Sequence, residues 1–235
     1  MHASRFVFSF AISLMVAVCV GGSSYVPDSE VVAVRLQNPL GSDGMPSPQD
    51  WEGAQAVSFD RDWQGKNDDP DRQTEVRLLW SPDAIYVRFR CLYRTIHVFD
   101  DSEPNGRRDQ LWERDVAEVF LQPNNLGWRH YKEFEVSPNG QWIDLTIAPE
   151  GGEPLNSGLR RVVSLNETRK QWIAVLAIPM KSLTEHFDPA TSWRVNFYRC
   201  EGANPRRAYL AWRPTYSSRP NFHVPESFGK LRFTE

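Results

Sequence analysis

A single carboxylate interrupts an apolar run in the stretch LWERDVAEVFLQP, residues 111–123. The second half of this stretch alternates as an extended strand does, which puts Glu118 on one face and its neighbours Ala117 and Val119 on the other. Trp112 stands just ahead of the strand. An aromatic ring beside hydrogen-bonding groups suits a sugar, because the ring stacks on the apolar face of a pyranose while carboxylates pair with its hydroxyls.

The same alternation extends this polar face over two further stretches, YKEFEVS and WRVNFYRC. In both, apolar residues such as Phe134 and Phe197 share one face, and polar residues share the other. The polar set comprises Tyr131, Glu133, Glu135, Arg194, Asn196, Tyr198 and Cys200. One face of a sandwich sheet is normally solvated, so these charges alone need no function. The tryptophan at the rim favours a binding face.

Short strands with turn residues between them are needed to position these side chains. Two hairpins are indicated by the turn sequences SPD, between Thr74–Trp80 and Ala84–Tyr93, and PNG, between Tyr131–Ser137 and Gln141–Ala148. Further strands are predicted at Val31–Leu36, Gly158–Leu165, Gln171–Ile178, SWRVNFYRCEG and RAYLAW, with FGKLRF as an edge strand and one helical turn after Pro179. The pattern predicts an all-β fold, a single antiparallel, jelly-roll-like β-sandwich domain over residues 25–235.

The composition narrows the class of ligand. The chain has 235 residues, of which 40% are hydrophobic, and a net charge of −3. This charge gives no electrostatic footprint for nucleic acid or an anionic membrane. Nine tryptophans suit a stacking ligand, although core packing must account for most of them.

The first residues have the pattern of a secretory signal peptide. Arg5 supplies a positive charge, Phe6–Val20 is apolar, and small residues follow at positions 21–24. We therefore expect a signal peptide over residues 1–24 and a secreted or periplasmic protein, with an uncleaved anchor as the alternative. No second stretch of the sequence is apolar over the length of a membrane span.

Cys91 and Cys200 remain after removal of that segment. Cys91 shares the predicted core face of its strand, whereas Cys200 lies on the polar face, so we predict two free thiols rather than a disulfide. The sequence contains no CxxC, no HExxH and no clustered cysteine and histidine, which gives a zinc site no support.

Across most of its length the chain resembles the family 9 carbohydrate-binding modules. The matching stretches are DGMPSPQDWEGA, VRLLWSPDAIYVRF, LWERDVAEVFLQP, YKEFEVSPNGQWIDL, QWIAVLAIPMKSL, WRVNFYR and FHVPESFGKLRF. The resemblance implies a β-sandwich, often stabilised by calcium, that binds sugar chain ends between two aromatic rings. It implies non-catalytic binding in polysaccharide catabolism, with an oligosaccharide or polysaccharide as ligand and a separate glycoside hydrolase as a candidate partner.

The resemblance also assigns roles to individual residues. Trp112 matches one aromatic wall, and Glu118 matches the glutamate that bonds sugar hydroxyls. Phe222 stands where the second wall is usually tryptophan, Glu135 where the best-known members have arginine, and Tyr198 where they have glutamine. The predicted carbohydrate-binding set is Trp112, Glu118, Glu135, Asn196, Tyr198, Asn221 and Phe222. No calcium ligands in this sequence are matched.

Two alternatives belong to other functional classes. The sandwich also resembles haem-binding subunits of periplasmic dehydrogenases, with Met180, His97 and His223 as candidate axial ligands, although no CxxCH is present. His223 is equally a loop residue beside Phe222 that could contact a sugar. A hydrolase could use Glu118, Glu133 and Glu135 as acid and base. A raised pKa would need a desolvated pocket, whereas we expect a flat, wet sheet face.

Overall fold

Thirteen β-strands and five single-turn 3-10 helices form the regular structure of residues 29–101 and 106–235, the part of the chain that this computed structural model describes. The predicted signal peptide lies outside these residues. The strands are β1 Glu30–Arg35, β2 Ala56–Phe59, β3 Thr74–Ser81, β4 Ala84–Leu92, β5 Val116–Gln122, β6 Tyr131–Val136, β7 Trp142–Ala148, β8 Gly151–Pro154, β9 Arg160–Asn166, β10 Gln171–Pro179, β11 Trp193–Glu201, β12 Ala208–Ala211 and β13 Gly229–Thr234. The 3-10 helices are Pro48–Trp51, Pro70–Arg72, Leu111–Glu113, Met180–Ser182 and Pro225–Ser227.

The strands follow one path in the order β8-β7-β6-β5-β11-β13-β1-β3-β4-β10-β9, with β12 paired to β11 and β2 to β3. The sheet curls over so that its two halves share a core. Phe89 on β4 and Phe197 on β11 are separated by three strands along this path, yet their ring centroids lie 6.2 Å apart. The predicted β-sandwich is therefore confirmed.

The pairing of the two terminal strands differs from the prediction. β1 runs parallel to both β13 and β3, whereas the other strand pairs are antiparallel. Parallel neighbours need a long crossover connection, and residues 36–73 supply one between β1 and β3. The predicted edge strand FGKLRF is wrong in its position, since β13 lies between β11 and β1 in the interior of the sheet.

The predicted alternation of faces is confirmed on the strands that carry the polar residues. Ala117, Val119 and Leu121 of β5 lie in the main core, which also contains Phe134 and Val136 of β6. A second apolar cluster lies on the opposite face of the same strands. It comprises Leu111, Val116, Phe120, Tyr131, Ile143, Ile147, Tyr198, Cys200, Ala211, Phe222 and Phe228. Glu118 lies on this same face of β5, between Val116 and Phe120 of the second cluster.

The two cysteines lie in different clusters, as predicted. Cys91 is in the main core and Cys200 in the second cluster, and both are buried free thiols. Most of the nine tryptophans are buried or half-buried, which agrees with core packing as their main role. Trp112 and Trp128 are the exposed ones, at 42% and 63%.

Candidate functional site

A cavity of about 790 Å³ opens on the polar face of β5, β6 and β7. Sheet residues form its floor, and the segments 109–112 and 220–223 form much of its rim. Of the predicted set, Trp112, Glu118, Asn221 and Phe222 line it, whereas Glu135, Asn196 and Tyr198 do not. The lining also contains Asp109, Gln110, Glu133, Ile143, Leu145, Ile147, Gly152, Pro154, Cys200, Tyr209, Pro220 and His223.

Trp112 is held at the rim by its neighbours in the 3-10 helix Leu111–Glu113. Leu111 is fully buried in the second cluster and anchors this turn. The Arg207 guanidinium donates hydrogen bonds to the main-chain carbonyls of Trp112, Glu113 and Arg114. The backbone is thus fixed while the indole ring remains exposed, an arrangement that preorganises the ring for a ligand.

Phe222 lies flat on Tyr198 in the cavity. The two rings are stacked with centroids 4.2 Å apart and an interplanar angle of 11°. This stacking leaves Phe222 only 8% exposed. Phe222 therefore adds apolar lining but offers a ligand much less ring surface than Trp112 does.

Asn196 and Tyr198 lie behind Phe222. The Asn196 side-chain amide donates to the Tyr198 hydroxyl at 2.7 Å and to the Arg213 carbonyl at 2.9 Å. Its carbonyl oxygen accepts from the Arg213 amide at 3.0 Å. Both side chains are fully buried, and their contacts make them positioning residues for the wall formed by Phe222.

Three carboxylates lie together beneath the cavity. Glu118 on β5 is directly opposite Glu135 on β6, and Glu133 is two residues away on the same face. One oxygen of each carboxylate lies within 4.8 Å of an oxygen of the other two. All three are buried. The expectation of a flat, wet face is therefore wrong, because the rim segments exclude solvent from the sheet.

Burial and mutual repulsion disfavour the charged forms of these carboxylates. Burial raises the pKa of Glu118 well above its usual range, and the charge of Glu133 adds to the effect. Burial likewise raises the pKa of Glu135, with contributions from the charges of Glu118 and Glu133. For Glu133, burial raises the pKa while the nearby His223 partly opposes the rise.

Glu133 and His223 are cavity residues that the predicted binding set omits. His223 Nδ1 lies 2.7 Å from the Tyr131 hydroxyl and 3.9 Å from Glu133 Oε2. Its ring stacks on Phe120 with centroids 5.5 Å apart. The signal for Glu133 is present in the sequence, since it shares the polar face with Glu135.

Two of the candidate haem ligands, Met180 and His223, lie on different faces of the sheet. Met180 is buried in the main core, whereas His223 borders the cavity on the other face of the sheet. Within the described ranges, no helix has the length and apolar composition needed to cross a bilayer.

The model of the family described as carbohydrate-binding family 9 matches residues 60–233. The chain belongs to carbohydrate-binding family 9. Family 9 modules bind carbohydrate and are not catalytic. The chain is also 25% identical over 181 residues to a protein of Arthroderma benhamiae named "Extracellular protein", covering 70% of this chain and 80% of that one.

Solved structures share the fold of this family 9 module. A candidate carbohydrate-binding protein from Bacteroides uniformis matches with a TM-score of 0.69 and 22% identity, over 87% of this chain and 98% of that one. A family 9 module from Caldicellulosiruptor kristjanssonii in complex with cellotriose matches with a TM-score of 0.61 and 16% identity, over 87% and 93% of the two chains. Its complex with glucose gives 0.58 and 13%, over 87% and 95%.

Proposed function

We propose that the cavity beside Trp112 binds a sugar, and that the chain is an exported, non-catalytic carbohydrate-binding module. The observation that carries this proposal is the exposed indole of Trp112, at 42%, on the rim of a cavity that Glu118 and Glu133 also line. The ring supplies a stacking surface, and the carboxylates supply acceptors for sugar hydroxyls. Membership of carbohydrate-binding family 9 supports the ligand class.

Apart from Glu135, which does not line the cavity, the residues of the predicted set divide into two roles in this proposal. Trp112 stacks on the sugar, Phe222 contributes apolar lining, and Glu118 and Asn221 bond its hydroxyls. Tyr198 and Asn196 act indirectly, because Tyr198 supports the Phe222 ring and Asn196 holds Tyr198. Glu133 and His223 join the contact set because both line the cavity.

A short oligosaccharide or a chain end is the ligand that best suits the shape of the cavity. A volume of about 790 Å³ is within the range of sites that enclose small ligands. The rim segments 109–112 and 220–223 border the sheet face. The middle of a long polysaccharide would have to pass over this rim to lie along the sheet, whereas a chain end can enter the cavity. The complexes of the Caldicellulosiruptor module with cellotriose and glucose support this size of ligand.

Export and sugar binding together would support a role in polysaccharide catabolism, which we propose on this basis. The relative named "Extracellular protein" supports export. We propose that residues 1–24 are a cleaved signal peptide and that the module acts outside the cytoplasm, with a glycoside hydrolase on another chain as its partner. N-terminal sequencing of exported protein should give a start near residue 23 or 25. A start at Met1 in a membrane fraction would instead indicate an uncleaved anchor.

Screening residues 25–235 on a glycan array tests the proposed function. We expect binding to a limited set of glycans, and the same glycans in solution should change the tryptophan fluorescence. Absence of binding across the array would contradict the proposal. A Soret absorption band would favour the haem-binding alternative, and release of sugar from a bound glycan would indicate a hydrolase.

A further inference from the structure

The cavity beside Trp112 has acidic side chains in its lining. Asp109, Glu118 and Glu133 line it, together with His223, and the described part of the lining contains neither lysine nor arginine. Among the ion pairs of the described residues, none includes Asp109 or Glu118, and Glu133 has only His223, at 3.9 Å. A pocket lined by side chains of one sign of charge favours a ligand of the opposite sign.

Two basic side chains near these carboxyl groups are bound elsewhere. The Nδ1 atom of His223 lies 2.7 Å from the Tyr131 hydroxyl. The Arg207 guanidinium donates to the main-chain carbonyls of residues 112–114. Its charge favours the ionised form of Glu118, but burial outweighs this effect and raises the pKa of Glu118. A cation on a ligand can therefore take the place of a close basic partner that the described residues do not supply.

Glu133 provides a second observation that points to a ligand. It is 3% exposed, it lines the cavity, and its Oε2 atom has no hydrogen-bond partner among the described residues. The oxygens of Glu135 also lack one, unless the Glu135 carboxyl keeps its proton and donates it to Glu133. Burial raises the pKa of Glu135, which favours this protonated form. One donated proton fills one of the roughly four acceptor sites of the Glu133 carboxylate, so a ligand in the cavity can fill others.

An ammonium group on a sugar suits this combination of side chains. The Trp112 indole is exposed at the rim, and a tryptophan ring attracts a cation placed over its face. An ammonium group has several N–H donors, and its hydrogen bonds to carboxylates are charge-assisted. We propose that the cavity binds an amino sugar with a free ammonium group, to which Glu118 and Glu133 are hydrogen-bonded. This inference rests on the proposed function, because it names the class of sugar.

Binding of an ammonium group should release a proton. Burial raises the pKa values of Glu118 and Glu133, so protons are retained on these groups in the free protein. A nearby cation favours the ionised carboxylate, so the carboxyl O–H bond breaks and the proton passes to the solvent. Affinity should therefore rise with pH as long as the sugar amine keeps its own proton. The titratable groups that face these two side chains are Tyr131, Glu135, Tyr198, Cys200, Arg207 and His223.

The test is calorimetry of the mature protein, residues 25–235, with three disaccharides. They are the β-1,4-linked disaccharide of glucosamine, its N-acetylated form, and cellobiose, which has a hydroxyl in place of each amine. At about pH 6, where the amine is protonated, the glucosamine disaccharide should bind roughly tenfold or more tightly than either neutral sugar, because it makes a charge-assisted contact that they lack. Titrations in buffers of different ionisation enthalpy should show proton release with this disaccharide alone.

Substitutions in the lining test the role of the carboxyl groups. Glu133→Gln should lower the preference for the glucosamine disaccharide over cellobiose by about tenfold. The matched control is Glu153→Gln, an exposed carboxylate on β8 that does not line the cavity, and it should keep the wild-type preference. If Glu133→Gln fails to fold, Asp109→Asn takes its place, since Asp109 is an exposed residue of the rim.

The possible failures of this inference and of the proposed function are distinguishable. If a neutral glycan binds as tightly as the glucosamine disaccharide or more tightly, the amino-sugar inference is overturned while the sugar site stands. A folded Glu133→Gln protein with the wild-type preference for the amine also overturns it. If no glycan binds at all, both the inference and the proposed function are overturned.

Discussion

Glu118 on β5 and Glu135 on β6 lie directly opposite each other in the sheet, both buried and on the same face. Like charges in this position destabilise a pair of strands. The sheet tolerates the pair because burial and the neighbouring carboxylates raise the pKa values of both groups, which disfavours their charged forms. Glu118 of this pair also lines the cavity, whereas Glu135 does not.

Replacing Glu118 with glutamine should weaken sugar binding. The carboxyl group lines the cavity, and a hydrogen bond to it contributes about 0.5–1.5 kcal/mol, which the amide recovers only in part. Calorimetry against the glycan identified on the array measures the change. An affinity equal to that of the wild type would remove Glu118 from the contact set.

Two substitutions distinguish the role of Phe222 in sugar binding from the role of Tyr198, which supports the Phe222 ring. Phe222→Ala should weaken binding by about 1 kcal/mol or more, because apolar lining is lost. Tyr198→Phe keeps the stacked ring but loses the hydroxyl that accepts from Asn196. It should lower the free energy of unfolding by about 1 kcal/mol and leave sugar affinity unchanged. Urea denaturation beside calorimetry distinguishes these effects. Equal losses of affinity in both variants would make Tyr198 a direct contact.

Asp115 fixes the chain just before the strand that carries Glu118. Its carboxylate accepts from the main-chain amides of His97, at 3.0 Å, and Gly202, at 2.6 Å. In Asp115→Asn one acceptor oxygen becomes an amide donor, so one of these bonds is lost. We expect the free energy of unfolding to fall by about 1.5–3 kcal/mol. Urea denaturation measures it, and a change below about 0.5 kcal/mol would show that the two bonds are dispensable.

Glu75 on β3 provides a pH-dependent contribution to stability. Burial opposes its charged form, but hydrogen bonds and charges of Arg77 and Arg90 outweigh burial and lower the pKa of Glu75. A carboxylate with a lowered pKa stabilises the folded protein above its unfolded pKa, and this contribution is lost as the pH falls through the folded value. Glu75→Gln should therefore be less stable than the wild type at pH 7. The difference should shrink in melts at pH 3. A difference in stability that is the same at both pH values would contradict a contribution from the ion pairs of Glu75.

The faces of β5, β6 and β11 could be predicted from the sequence because alternation in a strand is a local property. Glu118, Glu133 and Cys200 fall on the predicted face for this reason. Burial of that face could not be predicted, since it depends on segment 220–223, which is about a hundred residues away in the chain from β5.

The direction of strand pairing and the stacking of side chains also could not be predicted from local sequence patterns. The alternation within β1 is the same whether its neighbours are parallel or antiparallel, so the parallel pairs with β3 and β13 have no local signal. The stacking of Phe222 on Tyr198 joins a loop to a strand through the fold. The four-residue strands β2 and β8 were too short for a pattern of alternation, and β8 contains two glycines and a proline.

Replacing Trp112 with alanine tests the central claim most directly. The matched control is Trp128→Ala, since Trp128 is also exposed but borders a different cavity. Neither change opens a core void, unlike truncation of a buried aromatic at ~3–5 kcal/mol, so both variants should melt like the wild type. A stacking hot spot contributes roughly 2 kcal/mol or more, which is about a thirtyfold loss of affinity.

Calorimetry with the glycan identified on the array, alongside thermal melts, is the decisive measurement. We predict that Trp112→Ala loses binding while its melting temperature is unchanged, and that Trp128→Ala binds as the wild type does. Unchanged affinity in Trp112→Ala, or an equal loss in both variants, would contradict a sugar site at this cavity.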